Sequence, residues 1–227
     1  MYGSDPYNPN NSFVPAVPFD QPKNIFRFGE QAIWSTQLLT ASSVLDNSTE
    51  RLFSTAIGGT GGGFTNPLSI SETNIKEGGR VPSGSAYDVF GIAAQVLVSD
   101  GTADAGDFDT PVDTQALTGD LLRVIQNGCL AWDFLQTQVN ICPVMMAGAG
   151  GGAFGSVSTG NAADVGHMNN GNGNIWMYRK HPVALPGSAT FNVLLQFGSR
   201  TGAIGASNSV AVRVALLGYY KNVIEIG

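Results

Sequence analysis

Five aspartates, Asp100, Asp104, Asp107, Asp109 and Asp113, crowd the stretch SDGTADAGDFDTPVD and form the densest group of chemistry-bearing side chains in the chain. Carboxylate oxygens at that density suit a hard cation such as Ca²⁺. The spacing is not that of an EF-hand, because no Asp-x-Asp-x-Asp-Gly run leads to a closing glutamate. The better reading is a solvated acidic loop whose last members cap the helix predicted by the residues that follow. His167 and His181 have no cysteine or second histidine at ligand spacing, which argues against zinc. The glycine-rich run Gly58–Phe64 could suggest a phosphate cradle. It is followed by Thr65, Asn66 and Pro67 rather than by Lys and Ser/Thr at a helix start, so a flexible loop is expected. No Gly-x-Ser-x-Gly elbow is present, and a Ser–His–Asp triad could be composed only by free choice among unrelated positions. Asp133, in an apolar run, is the one carboxylate that burial could perturb; pairing with Arg123 or an exposed strand face accounts for it as well. No catalytic, cofactor-binding or metal residue is assigned, and the chain is not expected to be an enzyme.

The elements around these residues read as β. In Ala189–Gly198, Phe191, Val193, Leu195 and Phe197 fall on one face; in Ser209–Ile226, Val210, Val212, Val214 and Leu216 do the same. Two half-apolar sheets cover each other in a sandwich or a barrel. Phe90, Ile92, Ala94, Val96 and Val98 make a further stripe, with Gly91 marking a bulge or a close backbone approach. Leu130, Trp132 and Phe134 share a face before a turn around Gln136–Gln138. Asn24–Leu45 alternates with Trp34, Thr36 and Leu38 on one side, a helix over Glu30–Leu45 remaining open. Glu50–Ile57 is a short strand candidate, and Pro67 onward reads as strand, turn, strand. Leu117, Leu121, Val124 and Ile125 fall at helical spacing and predict one helix over Thr114–Asn127, closed by Asn127-Gly128. Met145–Asn174 is a long Gly/Asn loop, which suits an inter-subunit or outward-facing position.

Composition narrows the class. The chain has 227 residues, of which only 12% are charged and 43% hydrophobic, against roughly 25% charged in soluble domains. A surface so poor in charge points to cover by neighbouring subunits, although Gly, Ser, Asn and Thr could also keep it wet. The net charge of −6 argues against a chain that wraps nucleic acid, because that affinity comes mainly from Lys and Arg on phosphates. Cys129 and Cys142 read as core thiols, with a bridge between neighbouring strands as the alternative. No apolar run is long enough to span a membrane and no secretory signal is recognisable, so the chain is expected to be made in the cytoplasm and to be soluble before assembly.

Residues 1–23 are of another kind. Pro6, Pro9, Pro15, Pro18 and Pro22 preclude a central strand or helix and predict an extended arm. Tyr2, Tyr7, Phe13, Val14, Val17 and Phe19 make it too apolar for a solvated linker. It is expected to lie on its own domain or on the next subunit, a floppy terminus being the plainer alternative.

The order of TNIKEGGRVPSGSAYDVFGIAAQV, then LPGSATFNVLLQFG, then VAVRVALLGYYKNVIEIG resembles the jelly-roll capsid proteins of icosahedral tailless bacteriophages and related viruses, over Ser69–Gly227. In that family a Pro- and Gly-containing turn precedes a strand entering the core, and the last strand breaks at Leu-Gly-Tyr. The resemblance implies an all-β fold: a single jelly-roll β-sandwich over 24–227, with one short helix, long Gly-rich loops and the extended arm over 1–23. It implies a structural virion protein, a capsid subunit that self-assembles into an icosahedral shell. Its partners would be copies of itself and other virion proteins, without direct nucleic-acid contact, since a basic arm is missing. Tyr7, Phe13, Val14 and Phe19 are the expected subunit contacts. The alternative is a sugar- or surface-binding β-sandwich of a spike, fibre or lectin kind, with Trp176, Tyr178, Tyr219 and Tyr220 as stacking platforms.

Overall fold

Period-2 alternation becomes strand along most of this chain. The computed structural model describes residues 24–99, 114–134, 137–149, 153–157, 165–169, 174–178, 180–206 and 209–225. In chain order the elements are β1 (Asn24–Leu39), β2 (Thr49–Leu52), β3 (Ser85–Ser99), α1 (Thr114–Asn127), β4 (Gly128–Phe134) and β5 (Thr137–Pro143), then a 3-10 turn at Val144–Met146. They continue with β6 (Ala153–Val157), β7 (Val165–Asn169), β8 (Trp176–Met177), β9 (Val183–Leu185), β10 (Phe191–Phe197) and β11 (Ser209–Glu225). One sheet has the order β1-β11-β3-β8, with β9 also on β3; the other has the order β2-β10-β4-β5; β6 and β7 pair separately. Among the described residues these strand pairings are antiparallel, while an isolated bridge between Ala94 and Gly148 is parallel. The fold is therefore an all-β sandwich with a single helix among the described residues.

The core lies between the two sheets. Val210, Val212, Val214 and Leu216 of β11 face Val193, Leu195 and Phe197 of β10 in one apolar cluster, which α1 joins through Leu121 and Val124. Each such side chain contributes roughly 1.5–3 kcal/mol by leaving water, so the two central strands dominate the stability. A smaller cluster lies on the other side of the first sheet, where Leu38 and Ala211 meet Phe64 and Leu68 of the glycine-rich segment. That segment is a lid over the sheet. Gly63 holds φ at +80°, and a Cβ there would sit 2.3 Å from the Leu38 carbonyl oxygen, so the chain can pass this close only as glycine.

Some expectations are corrected by the structure. The alternation read over Asn24–Leu45 is strand as far as Leu39, and the helix left open over Glu30–Leu45 does not form; the Trp34, Thr36 and Leu38 side is the one under the lid, while Ile33 and Leu39 face the core. The strand from Glu50 stops at Leu52, because Phe53 turns to a left-handed φ of 67°. Pro67–Gly79 is made of turns and isolated bridges such as Ser35 with Thr73, not of strand. The turn expected around Gln136–Gln138 is corrected at Thr137 and Gln138, which are already in β5. The Met145–Asn174 segment contains the β6 and β7 pair. Helix α1 does end at Asn127, yet Gly128 enters β4 directly. A Cβ there would lie 2.7 Å from the Val124 carbonyl oxygen and 2.9 Å from Val144, so this glycine serves close packing.

The stripe through Phe90 is also broken. Leu217 pairs with Gly91 and Gly218 with Val89, leaving Phe90 without a partner in a bulge. Tyr87 and Val89 therefore take over the buried positions on one side of it, Ile92, Ala94 and Val96 on the other. Phe90 stacks instead on Tyr219, with ring centroids 5.2 Å apart.

Candidate functional site

Two of the clefts among the described residues bear on function. The larger, about 700 Å³, runs along the side where β5 borders one sheet and β8 and β9 border the other. Trp132 and Phe134 of β4 form its floor, Val139 and Ile141 of β5 one wall, and Trp176 and Tyr178 the other. Strand alternation builds that floor, since Leu130, Trp132 and Phe134 all point inward and Trp132 pairs with Val139. Val139 thus faces the side that the opposite sheet should cover, yet it is 55% exposed. The remaining early residues of β5, Thr137, Gln138 and Asn140, are exposed as well.

The cleft is tied at one point. The Trp132 indole N–H donates to the Tyr178 hydroxyl oxygen at 2.7 Å, joining the two sheets. Burial raises the Tyr178 phenol above its ordinary value, partly offset by that hydrogen bond. The described lining carries Lys180 and His181 and no carboxylate. Aromatic faces, an apolar wall and a cationic rim can hold a flat or extended, weakly acidic ligand by stacking and burial.

The smaller cleft, about 460 Å³, includes Glu30, Lys76, Arg80, Tyr87, Tyr220 and Asn222 in its lining. The Ser85 hydroxyl donates to Asn222 Oδ1 at 3.4 Å and lies 2.8 Å from the Tyr220 hydroxyl. The Tyr87 phenol, set against the carbonyls of Gln31 and Leu216, is pushed well above its ordinary value by burial. These hydroxyls are engaged in holding strands together.

The residues singled out from sequence separate clearly. Tyr7, Phe13, Val14 and Phe19 lie outside the described residues, as do the Asp100–Asp113 loop and the side chain of His167. His181 is exposed on the rim of the larger cleft. Asp133 pairs with Arg51 at 3.6 Å, while Arg123 pairs with Asp120 at 2.6 Å. The expected Arg123 partner is thus corrected, because α1 turns Arg123 toward Asp120 one turn earlier. Cys129 and Cys142 are free thiols. Of the four aromatic candidates, Trp176, Tyr178 and Tyr220 are half-buried against the core, and only Tyr219 is largely exposed. Sequence reasoning missed Val139 and Ile141 as wall residues; the alternation in VNIC was the available signal.

Among the described residues no group of three or more His, Cys, Asp or Glu is placed to hold a metal ion. No helix among them is long and apolar enough to cross a membrane. No protein-family model matches the chain, and a search of curated proteins finds no significant relative.

Proposed function

We propose that this chain is a structural virion protein, a capsid subunit whose jelly-roll sandwich self-assembles into an icosahedral shell without catalysing a reaction. The observation that carries this reading is the nesting of the strands. The first long strand pairs with the last (β1 with β11), the second with the second-last (β2 with β10), the third with β8 and β9, and β4 with β5. A hairpin folded in that nested way and rolled so that β11 meets β3 and β10 meets β4 is what two Greek keys of a jelly roll require. Fold alone leaves function open. The surface adds to it: 12% charged residues overall, with Val44, Ile70, Val139, Met145 and Tyr219 each more than half exposed. Symmetric contacts would bury such a surface.

The partners in this reading are copies of the chain and other virion proteins, with synthesis in the host cytoplasm and residence in the capsid. The acidic balance supports a shell without direct genome contact. Light scattering after size exclusion on the purified chain, beside a truncation lacking Met1–Pro22, tests the reading. Discrete large assemblies that shrink on truncation support it, and a strict monomer at all concentrations overturns it. The aromatic cleft favours a second reading, a sugar-binding sandwich with Trp176 and Tyr178 as platforms. Glycan-array binding by a small oligomer would select that one.

A further inference from the structure

Nothing in the self-assembly of a sandwich requires the larger cleft, yet it combines an apolar body, a positive end and an uncommitted hydrogen-bond donor. We infer that it binds a flat aromatic carboxylic acid, with the rings against Trp132, Phe134 and Trp176 and the carboxylate at the end marked by Lys180 and His181. At about 700 Å³ the cleft falls within the ~300–1,000 Å³ typical of small-molecule sites. Val139 is opposite Trp132 and turned toward the other sheet, but it is 55% exposed, so a bound ring that covers it removes apolar surface from water. Eight of the twelve described lining side chains are apolar or aromatic, and four of those eight are aromatic. Offset and edge contacts with such side chains favour a ring over an alkyl chain.

Charge selects an acid over a neutral ligand. The chain has a net charge of −6, and its one adjacent pair of Lys or Arg residues is Arg179-Lys180, followed directly by His181. Lys180 and His181 line the cleft, and no carboxylate does among its described residues. The ion pairs among the described residues engage Arg51, Arg80 and Arg123, which leaves the Lys180 ammonium to a ligand. An anion therefore meets attraction at this end and no like charge. The Tyr178 hydroxyl adds a donor: its oxygen accepts the Trp132 N–H at 2.7 Å, and its own hydrogen has no acceptor among the described residues, so it can serve a ligand oxygen. A sugar would use the same cleft, but its several hydroxyls would lose water against a mostly apolar lining, whereas an aromatic acid places its polar atoms at one end.

Calorimetric titration of the full chain with 2-naphthoate tests this, beside 2-naphthamide as the neutral analogue, decanoate as the alkyl acid and methyl glycosides as sugars. The expected result is saturable one-to-one binding of 2-naphthoate with a Kd on the order of 10–100 μM. Lys180→Gln, at an exposed position, should weaken it about fivefold; 2-naphthamide should bind the parent about fivefold more weakly than 2-naphthoate and not respond to Lys180→Gln. Val139→Glu, which sets a carboxylate in the cleft, should weaken 2-naphthoate at least tenfold while circular dichroism and the urea midpoint stay near those of the parent. Equal affinity for acid and amide overturns the recognition of the carboxylate, and decanoate binding as tightly as 2-naphthoate overturns the preference for a ring. Binding of 2-naphthoate that ignores both substitutions places it elsewhere on the molecule and overturns the site. Glycosides that bind where 2-naphthoate does not, or no binding by a folded chain, overturn the inference and leave the self-assembly reading standing.

Discussion

Trp132 and Tyr178 stand on opposite sheets and meet across the open side of the sandwich, the indole N–H donating to the phenol oxygen at 2.7 Å. Trp132 is almost fully buried, so its N–H has little access to water if the acceptor is removed. Tyr178→Phe should destabilise the fold by about 1–2 kcal/mol, the cost of leaving a buried donor unmade. Urea unfolding measures it, and a double-mutant cycle with Trp132→Phe isolates the pair. If Tyr178→Phe costs as much in the Trp132→Phe background as in the parent, the tie between the sheets contributes nothing.

Gly63 is the point where the lid comes closest to the first sheet. Its φ of +80° and the 2.3 Å separation of a built Cβ from the Leu38 carbonyl oxygen oppose any side chain on two counts. The Leu38 amide also donates to the neighbouring Gly62 carbonyl at 2.7 Å, so displacement breaks a hydrogen bond and uncovers Leu38 and Ala211. Gly63→Ala should cost about 2–3 kcal/mol and speed proteolysis within residues 58–74. Gly198→Ala, where nothing lies within 4 Å of the added Cβ, is the control and should change stability little. Equal proteolysis of both variants would show that the lid does not depend on this contact.

Where both faces of a strand obey one rule, the sequence was readable. β10 and β11 each carry four apolar residues at every second position, and each lies in the centre of its sheet. α1 was legible to its ends for the same reason, with Leu121 and Val124 one turn apart on the buried face. β1 was harder, because its core side carries Ser35 and Gln37, whose polar atoms are satisfied by the Phe53 amide and the Glu50 carboxylate. Its lid side carries Trp34 and Leu38, so alternation alone does not tell core from cover. The bulge at Phe90 was foreshadowed by Gly91, but not which residue it would expel. The aromatic cleft was hidden for a different reason: it joins Trp132 and Val139 to Trp176 and Tyr178 through pairings remote in sequence, and no local pattern encodes that meeting.

Glu72 should give the lid a pH dependence. Burial by itself raises its carboxyl, but hydrogen bonds from the Ser69 and Ser71 hydroxyls and the Ser69 amide outweigh that and leave it below the ordinary carboxylate range. A carboxyl lowered by folding stabilises the native state above its unfolded pKa and loses that contribution as pH falls through the folded value. Glu72→Gln should therefore cost about 1–2 kcal/mol near neutrality, and the gap from the parent should close below about pH 4. Urea midpoints of both proteins from neutral to acid pH measure it. A gap that stays constant with pH would mean that the carboxylate charge is not what holds the Ser69–Glu72 turn.

Cys129 and Cys142 are on adjacent strands and still unsuited to bridging. Cys142 pairs with Leu130 and shares its inward face, whereas Cys129, next to Leu130, points to the other side. Burial pushes the Cys142 thiol up to about 11, with Cys129 adding to the effect, and raises the Cys129 thiol as well. Since the thiolate is the reacting form, only about one Cys142 in a thousand is reactive at pH 8. Alkylation of the native chain should be slow, slower at buried Cys142 than at half-buried Cys129, and should accelerate as pH is raised. In denaturant both thiols should react at the rate of free cysteine. A chain that yields no thiol on unfolding without reductant would show the two joined after all, and β4 and β5 would then have to pair in a different register from the one that places Val139 opposite Trp132.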